Sequence, residues 1–345
     1  MTKELKVHVY LLCFNEEAII ESVIRYYSKF CSKIYIMDNM STDNSVAIAQ
    51  HFPNITVIPW ESDNIDESLY VHMKSETYKN YSRDGGQYTT EIADWVISCD
   101  MDEVLYHYDI LRALRLYDEK GVTVPQITGF DIAGENEVKC NIPILEQYNL
   151  AVRAKGFDKR IVFKPDFNIT YNQGCHPRGS GFECMKNTYG YKYSNSYPLA
   201  LLHYKHIGSR LFSTAKKNYS RMSDNADKLA GRGKKSAVGQ YYENIVNKKL
   251  VLSPILESAR PVFDDQGRVN FDSFEKITGE EGLIENESSA IAAQVDVNQI
   301  RDVALEVANT NVELGLKLMR IAAKYRPDGE GILLKIKQYE KSLSV

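Results

Sequence analysis

Along the first hundred residues, unbroken apolar runs alternate with stretches in which apolar residues return every three or four positions. "VHVYLLCF", residues 7–14, is continuous and rich in β-formers, the pattern of a strand covered on both faces. In "NEEAIIESVIRYYSKF" the apolar positions Ile19, Ile20, Val23, Ile24 and Tyr27 fall on one helical face. Glu16 and Glu17 are expected in its first turn, where the helix dipole favours acids. "KIYIMD" then reads as a strand, "NMSTDNS" as a turn, "SVAIAQHF" as a helix and "ITVIPW" as a strand. A longer helix is predicted over 67–82, leading through "RDGGQYTTE" into the strand "DWVISCD". Strands alternating with helices in this way predict βαβ units and a parallel sheet.

From Val122 the texture changes to short strands with turn residues: "GVTVPQITGFDIAG", "KRIVFKPDFNITYNQGCHPRGSGF" and "YPLALLHY". These predict an antiparallel addition beside the sheet. Residues 213–250 carry nine basic side chains against three acidic ones and include the Gly-rich "AGRGKKSAVG". Past Pro254 and Pro261, an acidic connector leads to two or three amphipathic helices broken at Pro327 and Gly329. The expected division is therefore a catalytic α/β domain over 1–212, a basic helical segment over 213–252 and a helical subdomain over 253–345.

Composition narrows the class without naming it. Hydrophobic residues at 43% and charged residues at 26% are ordinary for a globular chain long enough to bury a large core. A net charge of -4 supplies no global field for gathering nucleic acid. Six scattered cysteines, with no CxxC pair, read as reduced structural thiols. The start of the chain lacks the long apolar segment and cleavage site of a secretory signal, and no run approaches a membrane span. A cytoplasmic location is expected.

The candidate chemistry sits at "WVISCDMDEVLYH", where Asp100, Asp102 and Glu103 crowd behind an apolar strand. Open α/β sheets bind ligands at the carboxyl ends of their strands, so the position suits a site. Two carboxylates one residue apart can hold a hard divalent cation, with water and ligand phosphate oxygens completing the coordination. The plain alternative is a solvated acidic turn. The turn has neither the central Gly nor the later Glu of an EF-hand loop. The loop "NQGCHPRGSGFECM" brings together His176, Arg178 and Glu183 and suits either a substrate-facing loop or an ordinary turn. Along "KRIVFKP", Arg160 and Lys164 are expected on one strand face and Lys159 on the other; either set could meet phosphate or water.

"LLCFNEEAIIE", "MDNMSTDNS" and "DWVISCDMDEVLY", in this order, resemble the signature of GT-A fold glycosyltransferases, nearest to the family 2-like group with an Asp-x-Asp-Glu motif. "KRIVFKP", "GCHPRG" and "LLHYK" resemble that group's downstream pattern, and the likeness covers roughly residues 5 to 210. The resemblance implies a GT-A (Rossmann-like) mostly parallel sheet with an antiparallel addition, and a nucleotide-sugar donor, expected to be a UDP-sugar. It implies that Asp38 contacts uracil or ribose, that Asn39 or Asp43 shapes the following turn, and that Asn15 and Glu17 flank the base. By the same resemblance Asp100 faces ribose and metal, Asp102 binds Mn²⁺ or Mg²⁺, and Glu103 touches the sugar or orients Asp102. His203 becomes the third metal ligand, with His206 the competing candidate.

Displacement at an anomeric carbon needs a base for the acceptor hydroxyl. The chain departs from the commoner family 2 pattern here, since no Glu-Asp pair follows the metal motif. Glu183, His176 and Asp158 are the candidates, in that order. The basic segment reads as a lid over the diphosphate, as a patch for anionic lipid headgroups at the inner face of the membrane, or as a solvated helix. The C-terminal helices suit a small subdomain or a homo-oligomer contact.

The function expected from all of this is a metal-dependent, inverting hexosyltransferase acting on a glycan or lipid-linked acceptor, in bacterial surface polysaccharide synthesis. One rival is a nucleotidyltransferase, but "CFNEEAII" offers no Gly-rich triphosphate loop. The other is a non-catalytic nucleotide- or carbohydrate-binding protein whose helical tail recruits a partner.

Overall fold

The computed structural model describes residues 4–62, 65–171, 191–222, 233–248, 251–274, 281–284, 297–325 and 329–343. The predicted mixed α/β architecture is the observed one. A five-stranded sheet runs in the order β3 (Ile55–Pro59), β2 (Lys33–Asp38), β1 (Val7–Cys13), β4 (Trp95–Asp100), β8 (Val162–Phe163). The first four strands are parallel and β8 is antiparallel to β4. Every residue of β1 is buried, which is why its sequence shows no polar alternation. The register pairs Cys13 with Asp38 and Leu12 with Asp100, so three strands deliver their carboxyl ends to one edge.

Helix α1 (Ile20–Tyr27) buries Ile20, Val23, Ile24 and Tyr27, as its spacing predicts. It starts later than expected. Asn15 adopts φ +53, a left-handed turn that Asn tolerates better than most residues, and residues 16–19 form a turn on the Glu16 carbonyl. Glu16 and Glu17 therefore belong to the strand–helix junction and not to the first helical turn. Helix α2 (Ser45–Ala49) is shorter than its apolar stretch, whereas α3 (Glu67–Tyr81) matches its prediction within a residue. Asp66 caps α3 by accepting from the Ser68 and Leu69 amides at 2.8 and 3.3 Å.

The second sheet is where the chain departs from a simple antiparallel addition. Its order is β10 (Arg260–Pro261), β7 (Leu150–Arg153), β6 (Val124–Gly134), β9 (Tyr191–Ile207), β11 (Glu281–Ile284), with β5 (Glu103–Tyr106) also on β9. β5 and β7 pair antiparallel, but β6 and β9 run parallel, with register shifts at Pro125/Ile127 and Asp131/Ala133. More than fifty residues separate β6 from β9, ample length for the crossover that parallel neighbours require. Between β5 and β6, α4 (Ile110–Glu119) turns Ile110, Ala113, Leu114 and Tyr117 into the core. Helices α5 (Arg210–Ser220) and α6 (Ala237–Val246) share a smaller core of Leu211, Ala215, Met222, Tyr242 and Ile245.

The chain divides into two compact units, residues 1–186 with 191–283 and residues 187–190 with 284–345. The boundaries drawn from sequence at 212 and 252 both fall inside the first. The second unit holds helices Val297–Ala308, Val312–Tyr325 and Glu330–Leu343 around Ala304, Met319, Ala322 and Ile332. A side chain at Gly315 would place its Cβ 2.6 Å from that of Ala308, so only glycine permits the first two helices to approach this closely. Pro327 lies outside the described residues. Among the described residues no helix is long and apolar enough to cross a membrane.

Candidate active site

At the carboxyl edge of the first sheet the acidic turn meets residues from five other segments. Each of its carboxylates already has a cation. Lys74 of α3 is nearly inaccessible and reaches Asp100 Oδ1 at 2.8 Å. Arg210, at the start of α5, donates to Asp102 Oδ2 at 3.0 Å. Lys159 forms a fully buried pair with Glu103, whose other oxygen accepts from the Asp100 amide at 3.3 Å. The repulsion expected of three crowded carboxylates is thus relieved by the protein's own side chains. Burial alone would raise the Asp102 carboxyl, but the neighbouring His203 and the Arg210 guanidinium outweigh it and hold it below the ordinary range.

Arg210 is shared. Its Nη2 also pairs with Glu16 Oε2 at 2.7 Å, and its Nε donates to the Tyr204 carbonyl at 3.1 Å. Burial would lower this guanidinium, but Glu16 and Asp102 raise it well above its usual value. Lys217, two turns along α5, donates to Glu16 Oε1 at 2.6 Å and to the Phe14 and Asn15 carbonyls at 2.8 and 3.1 Å. These contacts fasten α5 across the β1–α1 junction.

His203 arrives on β9 directly beside the acidic turn, because the register pairs it with Glu103 on one side and with Asp131 of β6 on the other. Its Nδ1 lies 2.6 Å from Asp131 Oδ1 and its Nε2 lies 3.8 Å from Asp102 Oδ2. Phe157 stacks on the ring at 4.1 Å between centroids. Burial would raise the Asp131 carboxyl, yet its hydrogen bond to His203 and the proximity of His203, His206 and Lys205 pull it below the ordinary range. His206, the rival ligand, is turned toward Asp131 and Tyr241, and burial lowers its pKa to about 4.

The cavity in front of these groups has a volume of about 170 Å³. Asp100, Asp102, Glu103, Glu16 and His203 line it together with Lys74, Lys205, Lys217 and Arg221. Phe14, Trp60, Tyr70 and Tyr242 supply aromatic walls. The Arg221 guanidinium lies 3.7 Å from the centre of the Phe14 ring and also donates to the Tyr70 hydroxyl at 3.2 Å. Acidic and basic side chains thus line one cleft with aromatic walls.

Several sequence-predicted residues do other work. Asn15 Oδ1 accepts from the Thr42 amide at 2.7 Å, Glu17 Oε2 from the Asn44 amide at 3.0 Å, and Asp43 from the Glu17 and Ser45 amides at 3.0 and 2.9 Å. Asp38 accepts from the Ser41 amide at 3.1 Å, and Asn39 binds Ser62 and Tyr70. These five knit the two loops together behind the cleft and do not line it. Arg160 is fully buried and donates to Gln126 and to the Asp158 carbonyl, which removes it from any phosphate. Lys164 pairs with Asp118 and lies over the Trp95 ring, because the expected strand is regular only at Val162–Phe163 and places it away from the cleft. Asp158, the third candidate base, is held by Arg153 at 2.6 Å and the Gly129 amide at 2.8 Å. His176, Arg178 and Glu183 lie outside the described residues.

Among the described residues no group of three or more His, Cys, Asp or Glu side chains is arranged to hold a metal ion. The donor chemistry fits a divalent ion with two protein ligands. Asp102 supplies the carboxylate that Mg²⁺ and Mn²⁺ favour, with water and phosphate oxygens completing the shell, and the ring nitrogen of His203 is a softer donor that suits Mn²⁺ better than Mg²⁺.

No protein-family model matches the sequence, and no curated protein does. Among solved structures, glucosyl-3-phosphoglycerate synthase from Mycobacterium tuberculosis, in complex with Mn²⁺, UDP and glucosyl-3-phosphoglycerate, is similar over 36% of this chain at 20% identity, with a TM-score of 0.24. The matched part spans 44% of that synthase, less than half its length. S. aureus TarS 1–349 is similar over 99% of this chain and 91% of its own, at 11% identity and a TM-score of 0.36. Its complex with UDP-GlcNAc matches over 99% and 92%, at 12% identity and a TM-score of 0.37.

Proposed function

We propose that this chain is a metal-dependent glycosyltransferase that moves a sugar from a nucleotide-diphosphate donor, in the first instance a UDP-sugar, to a hydroxyl of a glycan or lipid-linked acceptor. The observation that carries the reading is the charge layout of the cleft. A carboxylate, an imidazole and the cationic side chains of Lys205, Lys217 and Arg221 line one cleft at the carboxyl edge of a parallel sheet. That pattern complements a diphosphate carrying a divalent ion and is poorly suited to an uncharged ligand.

In this reading Asp102 and His203 hold Mn²⁺ or Mg²⁺. Bound there, the ion supplies Lewis-acid stabilisation of charge on the departing nucleoside diphosphate. Arg221 binds the phosphates, so one of the basic residues noted in segment 213–250 serves the cleft, while Lys217 stays fastened to Glu16 and the Phe14 and Asn15 carbonyls. Trp60 and Tyr70 give the cleft aromatic surface for the base. Asp100, partly exposed beside Lys74, meets the ribose in this reading. The Glu103–Lys159 pair positions the turn, because a fully buried ion pair has no surface to offer the sugar.

The general base is assigned to Glu183, with His176 second. Asp158 is set aside because its oxygens are committed to Arg153 and Gly129. The test is nucleotide release from a panel of nucleotide sugars with Mn²⁺ and then with a chelator. Metal-dependent release of UDP is the expected result. A chain that binds nucleotide but releases none under any condition would move the reading to the non-catalytic binding protein.

A further inference from the structure

We propose that Asp131 is the positioning residue that turns His203 into a metal ligand, by fixing which of its ring nitrogens carries the proton. The inference rests on the metal-dependent reading above and adds a residue that no motif marks. Asp131 Oδ1 lies 2.6 Å from His203 Nδ1, and a carboxylate ion can only accept, so the proton of a neutral ring must sit on Nδ1. Nε2 is then bare and presents its lone pair toward Asp102, 3.8 Å away. Were the proton on Nε2, an N–H would face the place where a cation has to sit and ligation would be lost.

Three features of the fold keep the ring in this state. Asp131 and His203 are register partners on neighbouring strands, so their separation is set by the sheet. Phe157 stacks on the imidazole with its plane inclined by only 25°, which restrains rotation. The other Asp131 oxygen is 4.0 Å from His206 Nδ1, too far for a hydrogen bond that would draw the carboxylate away. Carboxylates behind metal-bound histidines generally raise affinity in this manner, and their loss costs about 10- to 100-fold.

The deciding experiment combines two readouts on the full chain. Long-range ¹H–¹⁵N correlation on histidine-labelled, metal-free protein should show His203 protonated at Nδ1 only. Asp131→Ala should shift the ring toward the Nε2-protonated form and lower Mn²⁺ affinity, followed by electron paramagnetic resonance of free Mn²⁺, about 10- to 100-fold. Asp131→Glu should recover part of both. A wild-type ring protonated at Nε2 overturns the proposal even if the variants fail to fold. So does an Asp131→Ala protein that keeps both the wild-type tautomer and an affinity within about twofold. If the wild-type chain binds no Mn²⁺ at all, the metal reading fails, and the tautomer shift still decides whether Asp131 sets the ring.

Discussion

Two polar clusters stand at the same edge of the first sheet, and they use their oxygens differently. Around Asn15, Glu17, Asp38 and Asp43, the side chains accept from backbone amides of the facing loop. Around Asp100, Asp102 and Glu103, the partners are the cationic side chains of Lys74, Arg210 and Lys159. A carboxylate bonded to an amide is part of the backbone's architecture and cannot release it without opening a turn. One bonded to a cationic side chain, as Asp100 and Asp102 are, can exchange that partner for a metal or a basic group without breaking a backbone hydrogen bond. Acidic residues in a strand-end loop are therefore ambiguous until their partners are known.

The comparison can be broken at its strongest point first. Asp102→Ala should abolish metal-dependent nucleotide binding, a loss of at least about 100-fold in a titration with Mn²⁺ present, since half of the proposed protein ligand set is gone. A variant with wild-type affinity would remove the ion from the acidic turn. Glu103→Ala should act on stability, because it strands the buried Lys159 ammonium. Removing one member of a buried pair costs about 3–5 kcal/mol, which denaturant unfolding would show as a lowered midpoint. A shift of only a few tenths of a kcal/mol would mean that water reaches this pair.

Among the basic residues of the cleft, Arg221→Gln should weaken UDP binding roughly tenfold, about 1.4 kcal/mol, with a reduced dependence on salt. The contrasting experiment in the amide-bonded cluster is Asp43→Ala. It deletes acceptors for the Glu17 and Ser45 amides and should cost about 1 kcal/mol of stability while leaving Mn²⁺ affinity unchanged.

The smallest effect lies behind the sheet. His8 is buried between the Ser82 hydroxyl at 2.6 Å and Glu91 at 3.0 Å, and burial lowers its pKa below 6.5 despite Glu91. The unfolded chain then binds more protons than the folded one as pH falls past about 6.5, so stability present above that pH is lost below it. Tm measured from pH 7.5 to 5 should decline, and His8→Gln should flatten the decline.

How far the sequence could be read depends on the range of the interaction. Runs such as residues 7–13 and the helical spacing of Ile20, Val23, Ile24 and Tyr27 were legible because burial imposes its period locally. Asp102 and His203 could be singled out as candidates because each follows a run of apolar residues. Asp131 was not, since it looks like any polar residue within a strand, and only the parallel pairing of β6 with β9 brings it to His203 from 72 residues away. Lys74 and Arg210 were hidden for the same reason; nothing local distinguishes a buried cation from one on a solvated helix face. Arg160 and Lys164 misled in the opposite direction, because their alternation assumed a strand that is regular for only two residues.

What the chain determined by itself is the layering: which segments become strands and helices, and that carboxylates are left at the end of a central strand. Those outcomes follow from apolar periodicity and backbone hydrogen bonding, both properties of neighbouring residues. Which cation answers which carboxylate, and which nitrogen of His203 is left bare, were decided only by tertiary structure. Coulombic and hydrogen-bond partners are selected where packing excludes water, and that exclusion does not exist until the two sheets and α5 have come together.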